Sequence, residues 1–251
     1  MRLLILVVEF LGLSHQAYGA LMLNAAQTIT QVVTVQPVVV SDTGGGNTAT
    51  FFGDASQQAT IFSLIDQIWA QAGIDVSWLA PNFWSNTSAN IGVATTAVAR
   101  PESDLFFIRA TGDFAGAGSA NPLVIDMYFV RAAAGFAVLP ANFAAGLAVL
   151  GGNGITAYIG SALLSSTGGQ EAIAGVIAHE IGHNLGLPHI VSAINLMHDG
   201  SSVSLGEQLN AAQITAALNS NFSVPLGVPE PVTFVLVSLA LPLIFWRRRA
   251  I

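Results

Sequence analysis

The chain contains no cysteine and no lysine, and charged residues make up only 8% of its 251 positions. The missing cysteine excludes disulfide bonds, thiolate metal sites and a catalytic thiol. Seven basic residues stand against 14 acidic ones, giving a formal net charge of −7 at pH 7. A chain with so little positive charge offers no surface that attracts phosphate groups. We therefore expect no nucleic-acid partner.

The N-terminal residues resemble a targeting segment. Residues 1–19 begin with Met1-Arg2, continue as an apolar run and finish with small residues. This order is typical of a secretory signal peptide, here cut before Ala20. A buried N-terminal helix or strand is the alternative interpretation.

The C-terminal residues 228–251 also have the pattern of a targeting segment. A Pro-Glu-Pro segment precedes an uncharged run of about 15 residues, and Arg247, Arg248 and Arg249 follow it. This order resembles the PEP-CTERM sorting signal of exported bacterial proteins. Such a run extends about 22 Å as a helix, which is short for a membrane span. The resemblance implies a transient, membrane-anchored intermediate in the inner membrane. An exosortase-like sorting peptidase then cleaves the segment, and the protein reaches the cell surface or the extracellular medium. A plain tail anchor is the alternative. Residues 20–227 remain as one domain.

A group of histidines carries the strongest signal. Residues 179–189 read H-E-x-x-H-x-x-G-x-x-H. His179 and His183 are four residues apart, so on a helix they share one face. Gly186 predicts the end of that helix, because glycine adopts the left-handed conformation without a Cβ penalty. His189 can then turn back, and three imidazoles that leave one position open are typical of a catalytic Zn²⁺ site.

A carboxylate accompanies the first of these histidines. Glu180 is the next residue, where it can act as general base on a water molecule. Should His189 not be the third ligand, Glu207 is the downstream carboxylate that would take its place in a site of two histidines and one glutamate.

This elongated motif resembles that of the metzincin zinc endopeptidases. Their second mark is a methionine-containing turn beneath the metal, and Met197 fits it, followed by Asp199-Gly200. The resemblance implies an exported zinc endopeptidase that hydrolyses protein or peptide substrates. A non-proteolytic metal-binding protein of the extracellular matrix or cell surface is the rival hypothesis. His198 either lines the site or is a surface turn residue.

The resemblance also implies a fold. It is a zincin-like α+β architecture with a twisted, mostly parallel sheet, an antiparallel edge strand, a backing helix and an active-site helix. A small irregular C-terminal subdomain ends in a helix. In that family an extended substrate docks along an edge strand, a role that falls on Ala157, Tyr158 and Ile159 here. An ordinary sheet strand is an equally good interpretation of these three residues.

Local patterns predict the individual elements. Runs of β-branched and apolar residues predict strands, which fall at residues 31–40, 74–79, 105–108, 123–130 and 154–160. An apolar stripe after Asp54 predicts a helix that Gly73 closes. Side-chain caps are expected from Thr167 at the active-site helix and from Asn210 at the last helix. The aromatic residues Trp78, Phe83 and Trp84 are assigned to the core.

Overall fold

The computed structural model describes residues 21–91, 101–132, 141–198 and 206–227, which form an α+β fold as predicted. In chain order its main elements are β1 (Gln31–Ser41), α1 (Ala55–Ala70), β2 (Ile74–Trp78), β3 (Asn82–Ser85), α2 (Thr87–Ile91), α3 (Pro101–Phe114), β4 (Val124–Phe129), β5 (Ala144–Ala148), β6 (Ile155–Ile159), α4 (Gly169–Asn184), α5 (Ala211–Leu218) and β7 (Ser223–Pro225). The segments predicted as signal peptide and sorting signal lie outside the described residues. Among the described residues, no helix is long and apolar enough to cross a membrane.

One mostly parallel sheet organises these elements. Strand β1 pairs in parallel with β2, β3 and β4, and β4 pairs in parallel with β6. Strand β5 pairs antiparallel with β6 and closes that side of the sheet. The predicted antiparallel edge strand is therefore present. Helix α5 is followed by one more element that the sequence analysis did not predict. This is strand β7, which pairs antiparallel with β1.

Strands β4, β5 and β6 are buried at every position, which explains why they read as mostly apolar runs without alternation. In β4, Ile125, Met127 and Phe129 point to the face covered by α1 and α4. The intervening Tyr128 and the following Val130 join the cluster on the other face, which includes Ile108 of α3. The side of the sheet that carries the histidines of α4 is thus built by α4 packed on α1 and on the strands β5 and β6.

The predicted helix caps meet different outcomes. Asp54 caps α1 and Asn210 caps α5, each in a complete capping box with the glutamine three residues later. Thr167 does not cap α4, because that helix begins after Gly168, which has φ 71° and makes no side-chain cap. Gly73 closes α1 with φ 68°, as expected.

The predicted strand at residues 105–108 is wrong, since these residues lie inside α3. The buried side chains are Leu105 and Ile108, which are three residues apart, while Phe106 between them is 42% exposed. That spacing suits one helix face, whereas a half-buried strand would bury every second residue.

The aromatic assignments to the core are only partly right. Trp78 and Trp84 are partly buried and pack against the two main apolar clusters. Phe83 precedes Trp84 in β3 and points outward, with 76% of its surface exposed. It does not belong to the core.

Candidate metal centre

Two of the predicted ligands lie on the inner face of α4. His179 and His183 are one helical turn apart, and they are 4% and 6% exposed. Their ring centroids are 4.6 Å apart. The i, i+4 spacing therefore places both imidazoles on one side of the helix, as the sequence predicts.

The end of α4 directs the third histidine to the same point. Gly186 has φ 91°, and its N–H donates to the carbonyl of His183 at 2.9 Å. The N–H of Leu187 donates to the carbonyl of Gly182, also at 2.9 Å. These two bonds form a Schellman motif, which turns the chain sharply. His189 is thereby brought back beside the helix.

The three imidazoles converge on one another. The Nε2 atoms of His179 and His183 are 3.0 Å apart, and that of His189 lies 3.1 Å and 3.0 Å from them. A triangle of this size allows one ion to lie about 2.0–2.1 Å from all three nitrogens, the usual Zn–N distance. In the described part of the chain, this group consists of three histidines and includes no carboxylate. The donor set therefore fits zinc.

Backbone carbonyls determine which ring nitrogens face that point. Nδ1 of His179 donates to the carbonyl of Leu196 at 2.6 Å, and Nδ1 of His183 donates to that of Leu187 at 2.8 Å. A carbonyl can only accept, so in the neutral rings Nε2 carries a lone pair and no proton. These orienting bonds are typical of metal-ligating histidines.

Burial also favours the neutral form of both rings. It lowers the pKa of His179 well below its ordinary value, and the neighbouring His183 adds to the effect. Burial likewise lowers the pKa of His183 to about 4. Both imidazoles are therefore unprotonated near pH 7, the state that metal ligation requires.

Glu180 follows His179 in α4 and is not a member of the three-histidine group. Its side chain is 1% exposed and lies against Gly146 of β5, where a Cβ atom would be 2.7 Å from both Cδ and Oε1. Only glycine leaves that space. The carboxylate thus occupies the gap between α4 and the edge strand.

Met197 lies under the same helix. It is fully buried, and a Cβ atom on Gly182 would be 2.5 Å from its sulfur. Its carbonyl accepts from the N–H of Ile190 at 2.8 Å, which ties the segment after His189 to the methionine turn. This is the position that the sequence predicts for Met197; Asp199 and Gly200 lie outside the described residues.

The other candidate residues take different places. His198 is 6% exposed and bridges to Ile190, so it is not a surface turn residue. Glu207 is absent from the three-histidine group; its carboxylate lies near Gly175, and burial raises its pKa. A site with Glu207 in place of His189 is therefore excluded by the geometry.

The proposed substrate strand requires a correction. Ala157, Tyr158 and Ile159 belong to β6, which lies between β4 and β5 in the sheet. Strand β5 pairs with all three residues and β4 pairs with β6 as far as Ala157, so β6 is not the edge strand of the described sheet. The edge next to Glu180 is instead β5, which the sequence analysis missed because Ala-Ala-Gly-Leu-Ala has low β-propensity.

The loop after β1 holds a closed network of side chains. The Asp42 carboxylate accepts from the amides of Asn47 at 2.6 Å and Asn90 at 2.8 Å. These bonds lower its pKa, and Arg131 lies 3.9 Å away. Donors on both oxygens favour a structural turn here over a calcium site.

The match to a family model falls on the part of the chain that carries these histidines. Residues 123–190 match the model of metallo-peptidase family M12B, Reprolysin-like. The matched region runs from β4 through α4 to the third histidine and covers less than half of the chain. No curated protein matches the sequence.

The chain is similar to several solved structures at low sequence identity. Metalloproteinase-II from Bacteroides fragilis is 18% identical with a TM-score of 0.41, covering 82% of this chain and 58% of that protein. The chain thus spans little more than half of that protein's length. Archaemetzincin from Methanopyrus kandleri is 16% identical with a TM-score of 0.39, covering 75% of this chain and 87% of that one. Archaemetzincin from Archaeoglobus fulgidus, complexed with malonate, is 14% identical with a TM-score of 0.39, covering 74% and 99%.

Proposed function

We propose that the chain is a zinc-dependent endopeptidase of the metzincin type. The observation that carries the proposal is the convergence of three Nε2 atoms within 3.1 Å of one another, with Glu180 directly following His179 in α4. His179, His183 and His189 hold the ion. When bound, it supplies Lewis acidity to a water molecule and to a peptide carbonyl. The metallopeptidase family match over these residues supports the same reading.

The protein's own groups perform the proton transfers. Glu180 accepts a proton as water attacks the peptide carbonyl, and it returns that proton to the leaving amine. Gly146 leaves the space in which its carboxylate lies. A peptide lying along β5 would bind through main-chain hydrogen bonds, which every substrate can offer.

Substitution of the general base tests the mechanism. Glu180→Gln should abolish hydrolysis of a peptide library while about one zinc remains bound, because the carboxylate is not a ligand. Glu171→Gln changes the same residue type in the first turn of α4 and should leave the rate unchanged. Hydrolysis that survives Glu180→Gln would disprove the mechanism.

The third ligand is tested separately. His189→Ala should lower zinc affinity and remove activity, whereas Glu207→Gln should leave the metal content intact. The opposite result would replace the three-histidine site by two histidines and a glutamate.

The rival function is a metal-binding matrix or surface protein that does not cleave peptides. Glu180 favours the peptidase, because a purely structural zinc needs no general base and is usually closed by a fourth ligand. If the protein binds zinc but cleaves no peptide of the library, either with or without chelator, the result would favour the rival function.

Export completes the proposal. Residues 1–19 act as signal peptide and residues 228–251 as sorting signal for an exosortase-like peptidase at the inner membrane. Mass spectrometry of the mature protein from a host with that peptidase should find a new C-terminus near Val228-Pro229-Glu230-Pro231. An intact triple-arginine tail on the surface-exposed form would favour a plain anchor.

A further inference from the structure

Two amide side chains form a reciprocal pair behind the metal centre. Asn195 Nδ2 donates to Gln213 Oε1 at 2.9 Å, and Gln213 Nε2 donates to Asn195 Oδ1 at 2.9 Å. The two residues are 5% and 6% exposed. A buried amide that loses its partner is left with unsatisfied polar atoms, so the pair specifies how the two segments pack.

Each amide also holds its own segment. Asn195 Oδ1 accepts from the N–H of Met197 at 2.9 Å, and Gln213 Oε1 accepts from the N–H of Asn210 at 2.9 Å. The second bond belongs to the capping box that starts α5. The pair therefore joins the methionine turn to the first turn of the last helix.

The residue held between these contacts orients a metal ligand. Leu196 lies between Asn195 and Met197, and its N–H donates to the carbonyl of Gln208 at 2.9 Å. Its own carbonyl accepts from Nδ1 of His179 at 2.6 Å. A shift of the turn would move this carbonyl and with it the imidazole ring.

We propose that Asn195 and Gln213 are positioning residues that set the zinc affinity of the centre through the Leu196 carbonyl and His179. The inference rests on the metal site of the proposed function, but it does not depend on peptide hydrolysis. Groups that orient a ligating histidine typically change metal affinity 10–100-fold when they are removed.

The chain offers a matched control in its first helix. Gln57 is the third residue of the α1 capping box, as Gln213 is in α5, and it also makes one tertiary bond, from Nε2 to the carbonyl of Leu164 at 3.1 Å. Gln57→Ala and Gln213→Ala therefore remove equivalent helix-capping contacts. Only the second reaches the methionine turn.

Zinc dissociation constants, measured by competition with a chromophoric chelator on residues 20–227 and on the full chain, test the inference. Gln213→Ala should raise the constant about 10–100-fold, and Gln57→Ala less than about twofold. Asn195→Ala should act like Gln213→Ala. The double variant should add little, because each single substitution already removes the same amide pair. The visible spectrum of the Co²⁺-substituted protein should change in Gln213→Ala and stay unchanged in Gln57→Ala.

The opposite outcomes are equally clear. Equal zinc affinity and equal Co²⁺ spectra for Gln213→Ala and Gln57→Ala, with similar losses of thermal stability, would reduce the pair to a structural contact. Should Asn195→Ala fail to fold, Gln213→Ala decides alone, since it leaves the Met197 contact in place. If the wild-type protein binds zinc but does not hydrolyse peptides, only the proposed function is overturned. If it hydrolyses peptides and the variants bind zinc with unchanged affinity, only this inference is overturned.

Discussion

At the scale of single residues, two glycines leave the space that side chains around the site occupy. Gly146 and Gly182 lie where a Cβ atom would be under 3.0 Å from side-chain atoms of Glu180 and of Met197, respectively. Neither of these two glycines has a positive φ. Their role is therefore space, not backbone conformation. Each allows a side chain from another element to lie against it.

Gly146→Ala should displace the Glu180 carboxylate and lower kcat/KM for peptide hydrolysis by roughly 10²-fold, the effect of about 1 Å of misplacement. Zinc content should stay at one per chain, because the added Cβ atom would meet Glu180, which is not a ligand. Gly46→Ala is the control, since nothing lies within 4 Å of a Cβ atom there. Full activity in Gly146→Ala would mean that Glu180 is not held by this contact.

At the scale of elements, the end of α4 determines whether the third histidine reaches the first two. The helix stops at Asn184, and the Schellman motif around Gly186 reverses the chain within three residues. Helix start and stop signals are short-range, which explains why the stop at Gly186 and the caps at Asp54 and Asn210 could be predicted. The start of α4 could not, because Gly168 makes no side-chain cap.

Gly186→Ala should destabilise the fold by about 1–2 kcal/mol, since the residue has φ 91° and a side chain is strained there. Open space surrounds it, so no clash contributes. Zinc affinity should fall as well, because the turn places His189. Gly116→Ala carries the same conformational cost at φ 68°, also in open space, but away from the histidines.

Calorimetry with and without zinc separates the two effects. Both variants should lose similar melting temperature in the presence of a chelator, about 2–4 °C per kcal/mol for a domain of this size. Only Gly186→Ala should also lose part of the stabilisation that zinc adds. Equal zinc effects in both variants would show that the turn does not place His189.

At the scale of the whole molecule, the sheet brings together segments that are far apart in sequence and buries polar groups between them. Asp66 of α1 is one such group. Burial raises its pKa from 3.8 to about 6, with a further increase from the charge of Asp75, while the N–H of Val76 donates to it at 3.2 Å. The folded protein thus binds this proton more tightly than the unfolded chain.

The contribution of Asp66 to stability is therefore present below about pH 4 and is lost as the pH rises through about 6. Asp66→Asn removes the ionisation and can still accept from Val76. We expect it to raise the melting temperature at pH 8 by about 2–4 °C, a value reduced for the partial exposure of the group, and to leave it nearly unchanged at pH 4. Measurements in chelator exclude effects of metal loss. An equal change at both pH values would contradict the assigned ionisation.

The sequence by itself determined the features that depend on neighbours within a few residues. The i, i+4 spacing of His179 and His183, the helix stop at Gly186 and the α+β order of elements all follow from local geometry. Even there, Leu105 and Ile108 were misread, because a short apolar run suits a strand or a helix equally.

The tertiary structure alone decided which distant groups meet. Strand β5 is poor in β-forming residues and becomes the edge only because β6 pairs with it. The carbonyl that orients His179 comes from Leu196, and the amide that holds this turn comes from Gln213. Such contacts join segments whose separation along the chain carries no periodic signal. They depend on the packing of the whole sheet and its helices, and only the folded structure reveals them.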